Sequence, residues 1–142
     1  ESAISLNESY EHENVTFKIA DFTAIEDGHF NNVGSIYSRF TLHSVDRDSY
    51  LRTIDWCSRN LMTGGQLFIE ARTVNDPLFG QGKKVSDDEF ITTHYRRFSE
   101  IKDVMHDLEE RGFELVHASE NYTDSWYKTD HAVVYRIIVR KI

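Results

Sequence analysis

Runs of apolar residues predict five strands along the chain. Residues 14–22, NVTFKIADF, alternate between apolar and polar side chains, and residues 35–42, SIYSRFTL, form a second strand-like run. Residues 66–72, QLFIEAR, are apolar without alternation, as expected of a strand that is covered on both faces. The last two predicted strands, FELVHAS at 113–119 and HAVVYRIIVRKI at 131–142, are separated by a polar, aromatic loop.

Two segments have the 3.6-residue period of amphipathic helices. Residues 45–65 are predicted to form a helix that Asp46 or Asp48 caps and that Gly64 and Gly65 end. Its apolar face consists of Tyr50, Ile54, Cys57 and Leu61. Residues 99–112 predict a second helix, with Ile101, Val104, Met105 and Leu108 on one side and Gly112 past its end. Residues 1–10 also have a helical pattern.

The order of these elements predicts an α/β fold. A strand, a helix and a strand within about 35 residues form a βαβ unit, whose two strands run parallel. The final two strands have no helix between them, so they are predicted to pair antiparallel. A chain of 142 residues fits a single domain, residues 1–142. Residues 73–90, between the third strand and the aromatic segment that follows, are predicted to be a long loop.

Composition excludes several classes of protein. The net charge of −8 argues against a domain whose main task is to grip nucleic-acid phosphates. No apolar run is long enough for a membrane-spanning helix, and no signal peptide is recognised, so a cytoplasmic location is expected. The single Cys57 excludes an internal disulfide, and no metal-binding spacing of Cys or His accompanies it. Cys57 is expected to be a buried helix thiol, and no metal site is predicted.

Five motifs in order resemble the C-terminal two-thirds of a class I S-adenosylmethionine-dependent methyltransferase. They are VTFKIADF, IYSRFTLHSV, LMTGGQLFIEAR, ERGFEL and YRIIVRKI. The resemblance implies a Rossmann-like sheet, mostly parallel, with a terminal antiparallel strand pair. It also implies S-adenosylmethionine as the cofactor. Thr63 stands where the family usually has proline.

The resemblance implies roles for particular residues. Asp21 and Phe22 would hold the adenine of the cofactor. Ser38, Arg39 and Phe40, at the end of the next strand, would lie beside the reactive sulfonium. These assignments follow from the family alone, because a strand-end Asp is by itself more often a turn or helix cap.

Two features of the family are missing from the sequence. No Gly-x-Gly-x-Gly loop is present, and GQG at residues 80–82 follows a proline-containing loop rather than a first strand. No strand ending in a ribose-binding acid precedes residue 14. The chain is therefore interpreted as part of a domain that lacks its N-terminal strands. The isolated chain is expected to be inactive, to bind S-adenosylmethionine weakly or not at all, and to pair its exposed sheet edge with the N-terminal half or with a second copy.

Charged residues at the strand ends suggest candidate chemistry. Arg39 and His43 lie where open α/β sheets bind ligands, so they are candidates to face the cofactor and the acceptor. The structural alternative is that Arg39 pairs with a carboxylate and that His43 packs against the next helix. Glu70 and Arg72 end the following strand and are interpreted either as part of the site or as a salt bridge. His43 and Tyr95 are candidate bases for a hydroxyl or amine acceptor.

The segment THYRRF, residues 93–98, concentrates positive charge in an acidic chain. Because arginine offers a planar bidentate fork, this segment is predicted to hold an anionic acceptor. The predicted acceptor-binding residues are Arg72, His94, Tyr95, Arg96 and Arg97. The structural alternative is a solvated helix start anchored in the core by Tyr95 and Phe98.

Two functions therefore remain open. The first is methyl transfer, by the complete protein, to a small-molecule or glycan-like acceptor, either neutral or anionic. The second is a non-catalytic α/β binding or interaction module that lacks the cofactor site. A hydrolase is disfavoured because no Ser or Cys lies on a recognisable nucleophile elbow.

Overall fold

The structure, a computed structural model, describes residues 14–26, 28 and 30–142. In chain order the elements are β1 (Val33–Arg39), a 3₁₀ helix (Leu42–Ser44), α1 (Arg47–Asn60), β2 (Leu61–Arg72), β3 (Lys83–Lys84), β4 (Glu89–Ile91), β5 (Tyr95–Arg97), α2 (Ile101–Glu109), β6 (Phe113–Asn121) and β7 (Val134–Lys141). No helix among these described elements is long and apolar enough to cross a membrane.

Four strands form the main sheet in the order β1-β2-β7-β6. β1 and β2 are parallel, and α1 connects them, which confirms the predicted βαβ unit. β7 runs antiparallel to both of its neighbours, β2 and β6. Three of the four strands therefore point the same way, and the predicted α/β class and the antiparallel final pair are confirmed.

Both helices contribute to one hydrophobic core with the sheet. Ile54 and Cys57 of α1 and Leu108 of α2 are buried in the same cluster as the sheet residues Ile69 and Ile137. Cross-strand pairing places Ile69 opposite Ile137, so both side chains lie on the helix-covered face. Removing this apolar surface from water supplies the main stabilisation of the domain.

The caps of the two helices follow the sequence signals closely. The Asp46 carboxylate accepts a hydrogen bond from the Ser49 backbone N–H at 2.7 Å, so Asp46, rather than Asp48, is the N-cap of α1. Gly112 follows α2 in the left-handed conformation, with φ of 79°. The C-terminal end of α1 differs from the prediction.

α1 ends at Asn60, and β2 begins at Leu61, so the prediction that the helix continues to Gly64 and Gly65 was wrong. Gly65 serves the sheet instead. A Cβ at this position would lie 2.9 Å from the Met62 carbonyl oxygen and 3.1 Å from that of Gly34. The glycine therefore allows β1 and β2 to approach each other closely. Close approach of two backbones, and not only the end of a helix, can require glycine.

The predicted strand at residues 14–22 was also wrong. Residues 15–21 belong to no strand, and Ile19 is 69% exposed. Alternation of apolar residues makes a segment suitable for a sheet, but a strand also needs a neighbour for its backbone hydrogen bonds. None of the described strands pairs with this segment. The helical pattern at residues 1–10 lies outside the described residues.

A second, three-stranded sheet, β3-β4-β5, interrupts the predicted loop. Its pairs are antiparallel, and its last strand is formed by Tyr95–Arg97. Residues 93–98 are thus not a helix start. Gly82, with φ of 80°, permits the tight packing, because a Cβ there would lie 2.2 Å from the Ile91 carbonyl oxygen.

Candidate functional site

The carboxyl ends of the parallel strands β1 and β2 meet at one edge of the main sheet. Phe40, directly after β1, has φ of 55°, which is the left-handed region that side chains other than glycine avoid. Its backbone N–H donates to the Glu70 carbonyl oxygen at 2.9 Å, and this bond holds the turn against β2. Strained backbone of this kind occurs preferentially at ligand-binding sites, and the observation supports a site here.

His43 is buried immediately behind this edge. Its Nδ1 accepts a long hydrogen bond of 3.4 Å from the Arg72 backbone N–H, and the Phe40 ring contacts its ring edge to face at 5.4 Å. Burial, reinforced by the positive charges of Arg72 and Arg96, lowers the pKa of His43 to about 4. His43 is therefore neutral at physiological pH, and one of its nitrogens is already engaged. These contacts pack His43 against β2 and Phe40, while its predicted place beside the acceptor and the alternative of packing against the next helix both stay predictions.

Arg72 joins the end of β2 to the loop before β7. Its Nη1 donates to Asp76 at 2.8 Å, and its Nη2 donates to Asp130. Asp76 also accepts the Val133 backbone N–H at 3.0 Å. Burial opposes the charge of Arg72, but the two carboxylates outweigh it and raise the pKa of the guanidinium. The buried Nε of Arg72 has no acceptor among the described residues.

A row of charged side chains crosses the sheet on the face opposite the helices. Glu70 accepts hydrogen bonds from Arg39 Nε at 2.9 Å and from Arg136 Nε at 2.6 Å. Burial alone would raise the pKa of Glu70, but these two arginines hold it below its ordinary value. Glu70 and Arg72 thus do not form the salt bridge considered from sequence, and each has its own partners.

A cavity of about 460 Å³ opens beside the ion pairs that Arg72 forms with Asp76 and Asp130. It lies between the loops after β2, β4 and β6. Its wall includes Arg96, His131 and the two carboxylate residues that bind Arg72, Asp76 and Asp130. Hydroxyl groups are supplied by Thr92, Thr93 and Thr129. The cavity therefore combines a cation, an imidazole and several hydrogen-bonding groups in a volume suited to a small molecule.

Arg96 is the notable cation of this cavity. Its half-buried guanidinium donates to Thr92 Oγ1 at 2.9 Å and weakly to the His94 carbonyl oxygen at 3.4 Å. Within the described part of the chain, no carboxylate lies close enough to form an ion pair with it. Burial, followed by the charge of Arg72, lowers the pKa of Arg96. The carboxylates of Asp130 and Asp76 in the cavity wall partly offset this lowering, but neither forms an ion pair with the guanidinium, which can therefore still pair directly with an anion.

The structure separates Arg96 from its neighbour Arg97. Successive residues of a strand point to opposite faces, and Arg97 is buried with its guanidinium 4.6 Å from the Tyr50 ring centre. It donates to Ser99 Oγ at 2.9 Å and lines a different cavity, of about 520 Å³. His94 is exposed at the tip of the small sheet. Of the predicted acceptor-binding residues, Arg72 and Arg96 are brought together, and Arg97 is not.

Tyr95 lies with the predicted adenine-binding residues. It shares a cavity of about 680 Å³ with Asp21 and Phe22. Its hydroxyl donates to Glu89, and burial together with this carboxylate raises the pKa of Tyr95. A tyrosine in this environment keeps its proton and is a poor base.

The Asp21 carboxylate forms a turn with Thr23. Its Oδ1 accepts the Thr23 backbone N–H at 2.9 Å and the Thr23 hydroxyl at 2.7 Å, and these bonds lower the pKa of Asp21. This is the turn-forming role expected of a strand-end Asp. Oδ2 accepts no hydrogen bond from a described residue, so it stays available to an amino group such as that of adenine.

The remaining predicted cofactor residues lie along the end of β1. Ser38 shares a hydrogen bond with Thr41 and lines a small apolar cavity of about 200 Å³ together with Phe22. The guanidinium carbons of Arg39 and Arg72 lie 5.2 and 5.6 Å from the centre of the Phe40 ring. Through the Phe40 ring, these contacts connect the predicted cofactor residues to Arg72. The Arg39 side chain, however, already donates a hydrogen bond to Glu70.

The described residues fit part of S-adenosylmethionine. Asp21 offers a free carboxylate oxygen and Phe22 an apolar surface for an adenine ring, within one cavity. No described residue supplies a glycine-rich turn for the methionine portion. Across the same part of the chain, no cluster of three or more His, Cys, Asp or Glu side chains is arranged to hold a metal ion.

Sequence analysis missed four residues of this edge: Asp76, Asp130, His131 and Arg136. Asp76 lies 4 residues from Arg72, but Asp130 lies 58 residues away, and no local pattern connects them. The only available signal was the polar, aromatic composition of residues 120–130. Asp130, His131 and Arg136 come close to the end of β2 only because β7 pairs antiparallel with β2.

Comparison with solved structures places the chain in the fold class of S-adenosylmethionine-dependent methyltransferases. One such methyltransferase from Methanosarcina mazei superposes with a TM-score of 0.74 over 99% of this chain and 76% of its own, at 17% sequence identity. The Rossmann-like fold predicted from sequence is thus confirmed. No protein-family model and no curated protein matches the sequence.

Two further structures show the range of chemistry on this fold. The 1,6-didemethyltoxoflavin-N1-methyltransferase of Burkholderia thailandensis, solved with its substrate and S-adenosylhomocysteine, has a TM-score of 0.70 at 14% identity and is covered over 55% of its length by 97% of this chain. The [4+2]-cyclase SpnF has a TM-score of 0.69 at 13% identity, with 98% of this chain covering 61% of it. Fold alone therefore does not define the reaction.

Proposed function

We propose that this chain is the C-terminal portion of a methyltransferase domain that transfers a methyl group from S-adenosylmethionine to an anionic small-molecule or glycan-like acceptor. The observation that carries this proposal is the cavity at the carboxyl end of β2, in which Arg96 has no carboxylate partner among the described residues. The methyltransferase-like fold supports the reaction class. A cytoplasmic location stays a prediction.

In this proposal the cavity binds and orients the acceptor. Arg96 pairs with the carboxylate or phosphate of the acceptor, and the threonine hydroxyls donate or accept hydrogen bonds. The ion pairs of Arg72 with Asp76 and Asp130 keep the cavity wall in place. The cofactor, when bound, supplies a methyl group on a sulfonium. Alignment of two reactants can contribute about 7–11 kcal/mol to a displacement, more than a general base usually adds.

The proton balance favours an acceptor that is already anionic. A hydroxyl or amine acceptor must lose a proton, and the proposed bases are His43 and Tyr95. His43 has a pKa of about 4, so it is a weak base, and Tyr95 holds its own proton against Glu89. A carboxylate oxygen needs no base. Arg39 is proposed to contact the transferring group only if it is released from Glu70.

For the cofactor we propose the residues Asp21, Phe22, Ser38, Arg39 and Phe40, with Asp21 Oδ2 facing the adenine amino group. For the acceptor we propose Arg72 and Arg96, while His94, Tyr95 and Arg97 would require a rearrangement to reach the same cavity. The missing glycine-rich turn leads us to expect weak or no binding of S-adenosylmethionine by the 142-residue chain. Calorimetric titration tests this, and micromolar affinity would contradict the fragment interpretation.

The proposed partner is the N-terminal half of the same domain. β1 is an edge strand that pairs only with β2 among the described strands, and the chain covers between 55% and 76% of three solved structures of this fold. Unpaired edges recruit further strands. Sedimentation of the isolated chain should therefore detect self-association through this edge, and a strict monomer at high concentration would argue against it.

The alternative is a non-catalytic α/β binding or interaction module. Its support is the same absence of a glycine-rich turn and the firm engagement of Arg39, His43 and Tyr95 in internal contacts. The two functions differ in one cheap observation: the gene upstream of Glu1 should encode a strand, a Gly-x-Gly-x-Gly loop and a strand ending in an acid if the protein is an enzyme.

The decisive experiment uses the complete polypeptide with S-adenosylmethionine labelled in its methyl group. A panel of carboxylates, phosphates and glycans should reveal transfer to an anionic acceptor, and Arg96→Gln should raise KM for that acceptor about ten- to hundredfold, the effect of losing hydrogen bonds to a charged group. Transfer to neutral acceptors alone, unaffected by Arg96→Gln, would refute the acceptor class. No transfer to any acceptor would favour the binding module.

A further inference from the structure

The cavity that contains Arg96 is lined by His131, which stacks on the exposed Trp126. The rings of Trp126 and His131 are stacked, with centroids 4.2 Å apart and planes inclined by 19°. Trp126 is 50% exposed, although tryptophan is usually well buried. His131 lines the cavity, so one face of its imidazole is covered by Trp126 and the rest is presented toward the cavity and solvent.

The loop that presents this pair, residues 121–133, is held in place at several points. Asn121 Oδ1 accepts the backbone N–H groups of Thr123 and Asp124, at 3.1 and 2.7 Å. Asp124 and Ser125 accept hydrogen bonds from Arg136, and Asp130 binds Arg72. Both arms of the loop are thus fastened to strands of the sheet, and the aromatic pair is preorganised.

A preorganised aromatic surface beside a cation selects a particular kind of ligand. Flat rings, and the apolar faces of pyranose sugars, gain from contact with an aromatic face and lose little entropy if the face is already rigid. An isolated exposed tryptophan needs no ligand to explain it. Here, however, Trp126 stacks on His131, and His131 lines the same cavity as the half-buried Arg96, so one small molecule in that cavity can contact both the imidazole and the guanidinium.

We propose that Trp126 and His131 form a ring-binding platform, and that the acceptor is a six-membered ring carrying a carboxylate or phosphate. The ring packs against the His131 imidazole, which Trp126 supports by stacking, and its anionic group binds Arg96. That the bound ligand is a methyl acceptor rests on the proposed function, but its binding can be measured without cofactor. It assigns recognition roles to two residues of the loop before β7.

The test is an NMR titration of the ¹⁵N-labelled 142-residue chain with three carboxylates: benzoate, glucuronate and acetate. Benzoate or glucuronate should shift the backbone signals of residues 129–131 and 96, and should bind more tightly than acetate. Benzoate binding would indicate an aromatic ring, and glucuronate binding a sugar. Trp126→Ala should weaken the ring probe about three- to tenfold, the range for a lost aromatic contact, and leave acetate unchanged.

Tyr127→Ala is the matched control: Tyr127 is 69% exposed on the same loop, but Trp126, and not Tyr127, stacks on the cavity residue His131. It should leave all three affinities unchanged. Equal losses in Trp126→Ala and Tyr127→Ala, or no preference for rings over acetate, would overturn the platform. The chain can also be sedimented with phosphatidylcholine–phosphatidylglycerol vesicles. Co-sedimentation that Trp126→Ala abolishes would also overturn the platform, because the exposed ring would then bind a membrane surface.

The outcomes separate this inference from the proposed function. Ring binding that depends on Trp126, without methyl transfer by the complete protein, would preserve the platform and refute the methyltransferase. Methyl transfer with equal efficiency to ring and open-chain carboxylates, unaffected by Trp126→Ala, would preserve the methyltransferase and refute the platform.

Discussion

Arg72 and Arg96 lie at the same end of the sheet but in opposite electrostatic situations. Arg72 is buried and binds two carboxylates, Asp76 and Asp130. Arg96 is half-buried and donates only to a hydroxyl and a carbonyl among the described residues. The first arrangement carries one excess negative charge, which acts on Arg96 from a distance, while the second leaves a guanidinium that no carboxylate binds directly among the described residues. The comparison distinguishes an arginine that builds a cavity from one that is available inside it.

The difference follows from what each position costs. A buried guanidinium without partners would lose several kcal/mol of solvation, so Arg72 is tolerable only with its carboxylates in place. A half-exposed guanidinium retains part of its water, so Arg96 can remain unpaired at a smaller cost. A pKa lowered by burial and by Arg72 is the measurable sign of that cost.

The largest expected effect is that of Arg72→Ala. The change would leave Asp76, whose side chain is fully buried, without its cation, and breaking a buried pair in this way typically costs about 3–5 kcal/mol. Urea unfolding followed by circular dichroism measures the loss. Arg140→Ala, which breaks an exposed pair with Glu114, is the control and should cost less than about 1 kcal/mol. Equal losses of stability in the two variants would show that the ion pairs of Arg72 are no more important for folding than an exposed pair.

A smaller effect is expected from pH, through His43, which lies against Arg72. Its folded pKa of about 4 is below the ordinary 6.5, so the unfolded chain binds a proton more readily between these values. Stability from this group is therefore full above pH 6.5 and falls as the pH drops toward 4, by up to about 3 kcal/mol.

His43→Gln supplies the control for that pH dependence. The unfolding free energies of the two proteins should converge, or the variant should gain relative stability, as the pH falls from 7 to 4.5. Carboxylates titrate in both proteins, so the difference between them isolates His43. A constant difference across this range would show that the histidine is not held neutral by burial.

Arg96→Gln should have little effect on stability and a large effect on anion binding. Because Arg96 has only two neutral partners in the described structure, the free energy of unfolding should change by less than about 1 kcal/mol. Benzoate or acetate binding, measured by NMR, should weaken about ten- to hundredfold. Arg96→Lys should restore part of it, since it keeps the charge but loses the fork. Destabilisation comparable to that of Arg72→Ala would assign Arg96 to the scaffold.

The smallest expected effect is that of Arg96→Gln on the reactivity of Cys57. This thiol is buried in α1, and burial raises its pKa to about 12, so it should react with iodoacetamide only through opening of the core. Arg72→Ala should accelerate labelling by the same factor as it raises the unfolded population. Arg96→Gln should leave the rate unchanged, and acceleration there would indicate that the cavity wall is coupled to the core.

Local sequence patterns were sufficient for the elements whose stability depends on near neighbours. The periodic face of α1, its N-terminal cap, which the sequence narrowed to Asp46 or Asp48, and the apolar stripe of α2 all depend on residues within a few positions of each other. The βαβ unit and the antiparallel final strands followed from the length and type of their connections. Position 65 was interpreted incorrectly because glycine serves both as a helix stop and as a close-approach residue, and sequence does not distinguish these uses.

Tertiary structure decided the elements that depend on distant partners. Residues 15–21 have the alternation of a strand, but no described strand pairs with them. Residues 95–97 became a strand because β4 pairs with them, and that pairing turned Arg96 and Arg97 to opposite sides.

The candidate site divides in the same way. Sequence alone identified charged residues near the ends of β1 and β2 and a basic segment around Arg96. Only the folded chain brought Asp130 and His131 to that edge, through the return of β7 beside β2. The physical reason is that a charge is read from one residue, whereas its pairing, burial and pKa depend on groups that are distant in sequence and adjacent only after folding.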